Sequence, residues 1–316
     1  MSITHTQPQS NTVLEVANLT KNYGAVKALN QVSFSVPKGS IFGILGPNGS
    51  GKTTLLGIVM DVLKATDGSY LWNGQHADHN LRKHIGTLLE TPNFYHYLSA
   101  YKNLQIAAAI KGQSNPNIDE VLETVNLSQR MHSKFNTYSL GMKQRLAIGS
   151  ALLGNPDILV FDEPTNGLDP AGIAEIRTLM QSLQAQGKTI IMASHILDEV
   201  EKVCTHVAII QQGVLKTVGS VQEVLNTSPT TQVQTIEIEI ASEQNATLLQ
   251  ELTAYPGVHA ARDNGNYIIL TCATTVDAAA LNAHCYSQGI VLSHLFVKKK
   301  SLESRFLEIT GNKSDR

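Results

Sequence analysis

The segment Gly46-Pro47-Asn48-Gly49-Ser50-Gly51-Lys52-Thr53-Thr54 lies between the apolar run Ile41 to Leu45 and the helical stretch Thr53 to Leu63. Its spacing, G-x-x-x-x-G-K-T between a strand and a helix, is that of a loop that closes around phosphates. Glycines let the backbone curl so that its N–H groups face an anion, and the helix N-terminus adds a favourable dipole. Lys52 is then expected to reach the β and γ phosphates of a nucleoside triphosphate, and Thr53 to ligate Mg²⁺. The run Ile158-Leu159-Val160-Phe161-Asp162-Glu163 ends a buried strand in two carboxylates. One carboxylate can hold a hydrated metal while its neighbour polarises an attacking water, which assigns Asp162 to Mg²⁺ and Glu163 to the general base. His195 follows the apolar run Thr189 to Ala193. In a doubly wound sheet, ligands collect at the carboxyl ends of the strands, so His195 points toward the same crevice and can contact the γ phosphate or position water.

These residues need an α/β scaffold, and the pattern supplies one. Ile41 to Leu45, Ile158 to Phe161, Thr189 to Ala193 and Val207 to Ile210 are short, rich in Ile and Val, and separated by helical patterns, as buried parallel strands are. Leu14 to Val16 and Val32 to Val36 alternate as strands, and Asn73-Gly74 marks a hairpin turn. Asp169, Pro170 and the stripe Ile173, Ile176, Leu179, Met180, Leu183 give a capped helix ending near Gly187. From about Glu90 to Gly154 helical segments replace strands, including Leu104 to Ile110 and Ile118 to Val125. Asn226 to Thr231 has the composition of a linker. Beyond it, Ile236 to Ile240, Leu248 to Leu252, Asn264-Gly265, Tyr267 to Cys272, Val276 to Gln288 and Ile290 to Val297 read as β-α-β-β-α-β, a ferredoxin-like order. The expected boundaries are a loose tail over 1–12, an α/β phosphate-loop domain over 13–228 with a helical insertion at 90–154, and a small α+β domain over 229–316.

With 316 residues, 42% hydrophobic and 16% charged, the chain can bury a full core. Lys and Arg number 24 against 26 Asp and Glu, which leaves no broad basic field for nucleic acid. Cys204, Cys272 and Cys285 are far apart and fit core thiols in a reducing compartment. The polar start lacks the form of a secretory signal, and no apolar run is long enough to cross a bilayer, so a membrane role is expected to come through a partner. His76 and His79 read as solvated loop residues and Lys298-Lys299-Lys300 as a solvated cluster.

Ahead of Asp162 stands Tyr138-Ser139-Leu140-Gly141-Met142-Lys143-Gln144. Together with GPNGSGKT, ILVFDEP, Gly167-Leu168-Asp169 and Ser194-His195, in that order, it resembles the ATPase subunit of ATP-binding cassette (ABC) transporters over Val13 to Leu225. The resemblance implies a mixed-sheet core with a helical subdomain, and ATP and Mg²⁺ as ligands. Residues 46 through 54 then hold the nucleotide, and Tyr23, in KNYGAVKAL, matches the aromatic that stacks on adenine. Asp169 belongs to the D-loop and His195 is the switch histidine. Ser139 through Gln144 form the signature that faces the γ phosphate bound by an opposite subunit. Ser139 and Gly141 stand where a helix begins, so hydroxyl and backbone N–H groups there can meet an anion. One copy of each motif implies a second copy of the chain, paired head to tail.

Two departures carry information. The family commonly places a Gln after the strand entering the helical insertion, in contact with Mg²⁺ and the transporter, and here Ile85 to Leu89 is followed by Glu90. Glu90, with Thr91-Pro92, Tyr95, Leu98, Ser99 and Leu104, resembles the subgroup that exports bacitracin and lantibiotics, which works with ABC-2 type permeases at the cytoplasmic face of the cell membrane. Phe94 to Tyr101 is the surface expected to receive the permease or else to pack within the insertion. In the signature, Leu140 and Met142 replace two small residues. Another ABC-2 cargo and a non-transport ABC ATPase are the alternative readings.

Overall fold

The computed structural model describes residues 11–76, 84–89, 94–226, 235–243, 245–273, 275–298 and 301–311. Glu90, His79, Lys299, Lys300 and the linker positions 227–231 lie outside them. The chain divides into two compact units, Met1–Val224 with Phe306–Arg316, and Leu225–Arg305.

In the first unit, β1 (Thr12–Tyr23), β2 (Val26–Pro37) and β4 (Asp67–Trp72) form an antiparallel sheet ordered β2-β1-β4. The second sheet contains β3 (Ile41–Leu45), β5 (Ile85–Leu88), β6 (Ile158–Asp162), β7 (Thr189–Ser194), β8 (His206–Gln211) and β9 (Val214–Ser220), ordered β5-β6-β7-β3-β8-β9. Its first five strands run parallel, and β9 returns antiparallel to β8. Every residue of β3 and β7 is buried, as expected for strands covered on both faces. β9 is a strand that the sequence pattern did not reveal. It is half-exposed along its length, so it carries no continuous apolar run.

Helix α1 (Lys52–Val59) buries Leu55, Leu56, Ile58 and Val59 among residues of both sheets. Trp72 is fully buried and its indole N–H donates to the Val59 carbonyl at 2.9 Å, satisfying an acceptor at the end of α1. Asn73 and Gly74 have φ of 49° and 74°, the left-handed pair of a tight turn, closed by reciprocal Trp72 and Gln75 hydrogen bonds.

The helical insertion contains α2 (Ala100–Ile110), α3 (Ile118–Thr124) and α4 (Leu140–Leu152). α5 (Pro170–Ala185) starts on the Asp169 cap with Pro170 in the first turn, α6 (Leu197–Val203) follows β7, and α7 (Val221–Asn226) follows β9. Buried Asn103 fixes the aromatic segment before α2: its Oδ1 accepts from the Tyr95 N–H at 2.8 Å and its Nδ2 donates to the Ser99 carbonyl at 3.0 Å. The segment is not uniform in its burial. Phe94 packs edge-on against Phe135, whereas Tyr95 and Tyr97 are exposed.

The second unit runs β10 (Thr235–Ser242), α8 (Asn245–Thr253), β11 (Val258–Asp263), β12 (Ile268–Ala273), α9 (Ala278–Ser287), β13 (Leu292–Lys298). Its sheet is antiparallel throughout and ordered β11-β12-β10-β13, the ferredoxin-like arrangement. Ile238, Ile240, Leu270 and Cys272 of the sheet pack with Leu248, Leu252, Leu281 and Cys285 of the helices. All three cysteines are buried and free. Lys298 is exposed and ion-paired with Glu237 and Glu239, both at 3.7 Å.

Lys111, at the end of α2, donates to the Ser150 carbonyl at 2.7 Å, and burial lowers its pKa from 10.5 to about 8. Below about 8 it is charged in both states, and folding bears the cost of burying that charge. Between 8 and 10.5 the unfolded chain binds the proton more tightly, so stability rises with pH across that window. Denaturant midpoints measured through it should show the rise in the wild type and a flatter profile in Lys111→Met.

Candidate functional site

The register of the parallel sheet sets the site. Leu45 of β3 lies opposite Ser194 of β7, and Asp162 of β6 lies opposite Ala193. Three strands therefore end at one level, and the phosphate loop, the acid pair and His195 leave the sheet together. This is the edge at which α/β sheets bind ligands.

Within the loop, Gly49 and Gly51 have φ of 79° and 107°, and Gly51 is the N-cap of α1. No side chain caps α1, so its first-turn N–H groups remain available to an anion. A Cβ on Gly46 would run into the Ile210 carbonyl and Ser50 Oγ, so the backbone here tolerates no side chain. Lys52 is 5% exposed and its Nζ donates to the Gly46 carbonyl at 2.8 Å and the Pro47 carbonyl at 3.2 Å. The ammonium is held across the mouth of its own loop.

A turn outside the motif supports this loop. Gln212 and Gly213, with φ of 50° and 74°, connect β8 to β9; the Gly213 N–H donates to the Ser50 carbonyl at 3.0 Å and its carbonyl accepts from the Asn30 N–H at 2.8 Å. Sequence reading missed this support. Its trace is a single glycine between two strands, which identifies a turn but not what the turn touches.

Glu163 links the cluster. Its carboxylate lies 3.7 Å from Lys52 Nζ and 2.9 Å from His195 Nδ1. Its φ is 50°, a left-handed conformation that costs a non-glycine residue about 1–3 kcal/mol. The backbone stays tied to the sheet, because the Glu163 N–H donates to the Ala193 carbonyl at 3.0 Å. His195 is exposed, so the Glu163 carboxylate sits between a buried cation and an imidazole open to solvent.

Asp162 is partly buried, and burial pushes its carboxyl above the ordinary range. The Thr53 hydroxyl and the Lys52 charge oppose that rise, while the Glu163 charge adds to it. Asp162 Oδ1 is buried without a hydrogen-bond partner, as is Ser50 Oγ. An orphaned carboxylate oxygen beside a threonine hydroxyl is a donor set that suits a small hard cation such as Mg²⁺. Thr165, 3% exposed with its hydroxyl likewise unpartnered, is a further polar group near the acids that the motif reading did not single out.

The signature takes no part in these contacts. Ser139 caps α4 by accepting from the Met142 N–H at 3.3 Å, and Lys143 lies over the Phe135 ring at 5.5 Å. Leu140 is 52% exposed, and Gly141 stands beside Gly172, next to the start of α5. Asp169 is the α5 cap, its Oδ1 accepting from the Gly172 N–H at 3.0 Å. Tyr23 ends β1 with an exposed ring and Lys21 Nζ 5.0 Å from its centroid. Among the described residues no metal-binding group of three or more His, Cys, Asp or Glu forms, and His76 is exposed.

Comparisons with known proteins agree with this geometry. Residues 29–166 match the family model described as ABC transporter. The chain is 40% identical to YhcH, an ABC transporter ATP-binding protein of Bacillus subtilis, over 95% of this chain and 96% of that one. It is 35% identical to BcrA of Bacillus licheniformis, a bacitracin transport ATP-binding protein, over 95% of this chain and 98% of that one. Among solved structures, the dimeric ATP-binding cassette MJ0796 bound to ADP and Pi in a post-hydrolysis state superposes with a TM-score of 0.58 at 25% identity. That match covers 66% of this chain and 98% of the other.

Because the Gly46 backbone tolerates no Cβ, Gly46→Ala should displace the loop. Titration with a fluorescent ATP analogue should show affinity reduced by about tenfold or more, which about 1.4 kcal/mol of distortion suffices to cause. The circular dichroism spectrum should be unchanged.

Proposed function

Because the chain belongs to the ABC transporter family, as a subunit that binds and hydrolyses ATP to energise a separate permease, we propose that it drives peptide-antibiotic export from the cluster built around Glu163. The observation that carries the catalytic reading is the placement of one carboxylate 3.7 Å from Lys52 and 2.9 Å from His195 at the shared edge of three strands.

Residues 46–54 cradle the phosphates through backbone N–H groups and the open end of α1. Lys52 exchanges the Gly46 and Pro47 carbonyls for the β and γ phosphates. Glu163 takes the proton from the attacking water, and His195 orients that carboxylate and meets the γ phosphate. Thr53 and Asp162, joined by Glu90, would hold Mg²⁺, which when bound neutralises charge on the phosphate oxygens. Tyr23 offers its free ring face to adenine.

One chain holds only half of each site. Ser139 through Gln144 stand exposed or half-exposed at the start of α4, apart from the Lys52 cluster, so each signature is free to cover ATP held by a second copy. The dimeric cassette with ADP and Pi supports such pairing. Asp169, next to the signature at the start of α5, would then lie at the seam. No described helix is long and apolar enough to cross a membrane, and force would pass to ABC-2 type permease subunits from the cytoplasmic face, where ATP is supplied. Exposed Tyr95 and Tyr97 suit the permease contact. Likeness to a bacitracin transport protein along nearly the whole chain supports a peptide-antibiotic cargo.

Glu163→Gln should lower Mg·ATP turnover by about 10²–10⁴-fold while nucleotide binding persists, and equal turnover would remove Glu163 from the base role. Expressed with its permease in a bacitracin-sensitive host, the wild type should raise the tolerated dose and Glu163→Gln should not. Unchanged tolerance would exclude this cargo.

A further inference from the structure

Tyr23 stands at the open end of the β1–β2 hairpin, paired with Val26 across the turn at Gly24 and Ala25, and both side chains are exposed. A ring so placed would keep its rotamer freedom until a base arrived, and ordering it then would subtract from affinity. One contact restrains it beforehand. Lys21 Nζ lies over the ring, 5.0 Å from its centroid, and donates to the Lys64 carbonyl at 2.7 Å. Lys21 is half-buried, so its ammonium is held between a ring and a carbonyl rather than trailing in solvent. Lys64 belongs to the segment that joins α1 to β4. That segment is stitched to β1: the Thr66 N–H donates to the Thr20 carbonyl at 2.8 Å, and the Asn22 N–H donates to Thr66 Oγ1 at 3.0 Å. It is also tied to α1, because the Leu63 N–H donates to the Gly57 carbonyl at 2.9 Å. The carbonyl that anchors Lys21 is therefore fixed relative to α1, the helix whose N-terminus opens on the phosphate loop.

We propose that Lys21 is a positioning residue for the nucleobase: anchored on the Lys64 carbonyl, its ammonium covers one face of Tyr23 and presents the other face to adenine. The inference rests on the reading of Tyr23 as the adenine platform and adds what holds that platform. A cation over an aromatic face is attracted by the ring's π electrons, so the ring has a preferred place before any base arrives. Stacking then requires little further ordering of the side chain. With the ammonium on one side, a planar base meets the other, and the lysine and the ring together form a one-sided platform. Lys21 acts through the ring and not on phosphate, a role for which Lys52 and the first-turn N–H groups of α1 stand ready. Phosphate affinity from residues 46–54 and base affinity from the Lys21–Tyr23 pair are thus separate contributions, brought into register through α1 and the segment that follows it.

Equilibrium titration of the full chain with ATP and with inorganic tripolyphosphate tests the assignment, because only ATP carries a base. Lys21→Met should weaken ATP binding about two- to fivefold, the scale of one exposed cation–π contact, and leave tripolyphosphate binding unchanged. Tyr23→Ala should weaken ATP binding further, and adding Lys21→Met to it should have no additional effect, as expected of two residues acting through one contact. Three results would each overturn the role of Lys21: wild-type ATP affinity in Lys21→Met, equal loss of ATP and tripolyphosphate affinity, or an undiminished effect of Lys21→Met in the Tyr23→Ala background. If Lys21→Met does not fold, Lys21→Gln decides on the same measurements. If Tyr23→Ala leaves ATP affinity unchanged, the adenine platform itself is wrong; if Tyr23→Ala weakens ATP binding while Lys21→Met does not, only the role of Lys21 fails.

Discussion

Parallel pairing of β6 with β7 and of β7 with β3 sets Leu45, Asp162 and Ser194 at a common level, and the functional cluster depends on that level. The lysine and the acid pair stand more than a hundred residues apart in the chain, and His195 follows Glu163 by 32. A slip of one residue would turn each side chain to the other face of the sheet. What opposes a slip is packing on both faces: every residue of β3 and β7 is inside, so a shifted register would misfit the close-packed neighbours on each side.

That rigid base allows local costs that an isolated segment would not bear. Glu163 holds a left-handed backbone, Asp162 is partly buried with an oxygen lacking a partner, and Ser50 and Thr165 have buried, unpartnered hydroxyls. Each feature is unfavourable alone. Gathered at one strand edge, they leave polar groups for which the chain itself supplies no partner. Lys52 shows the same economy: its ammonium lies on the Gly46 and Pro47 carbonyls and opposite Glu163, so a buried charge is compensated without nucleotide. The loop is therefore preformed, supported from behind by Gly213 through the Ser50 carbonyl.

The C-terminal unit follows a different rule. Its antiparallel sheet covers one face with α8 and α9, so strands alternate and core residues fall at every second position, as Ile236, Ile238 and Ile240 do. Such a sheet has two edges, and how each is protected determines what the unit can join. Direct continuation of the chain from the cassette into this unit is shared with both full-length relatives, which match over 95% of the chain.

Much of this was legible in the residues. The loop spacing, the strand ending in Asp162 and Glu163, the cap at Asp169, and the β-α-β-β-α-β rhythm are local patterns, and short-range physics makes them visible. β9 was not legible, because a half-exposed strand mixes Lys216, Thr217 and Gly219 among its apolar residues. The Gly213 support and the Asn103 anchor also escaped, since each acts on backbone distant in sequence or through a side chain type with many other uses. The sequence by itself determined which groups could handle a nucleotide and in what order they occur. Only the tertiary structure decided that Glu163 lies between Lys52 and His195, that Asp162 keeps a free oxygen, and that the signature stays out of its own chain's cluster. Sheet register and burial produce those outcomes, and both arise from contacts between residues far apart along the chain.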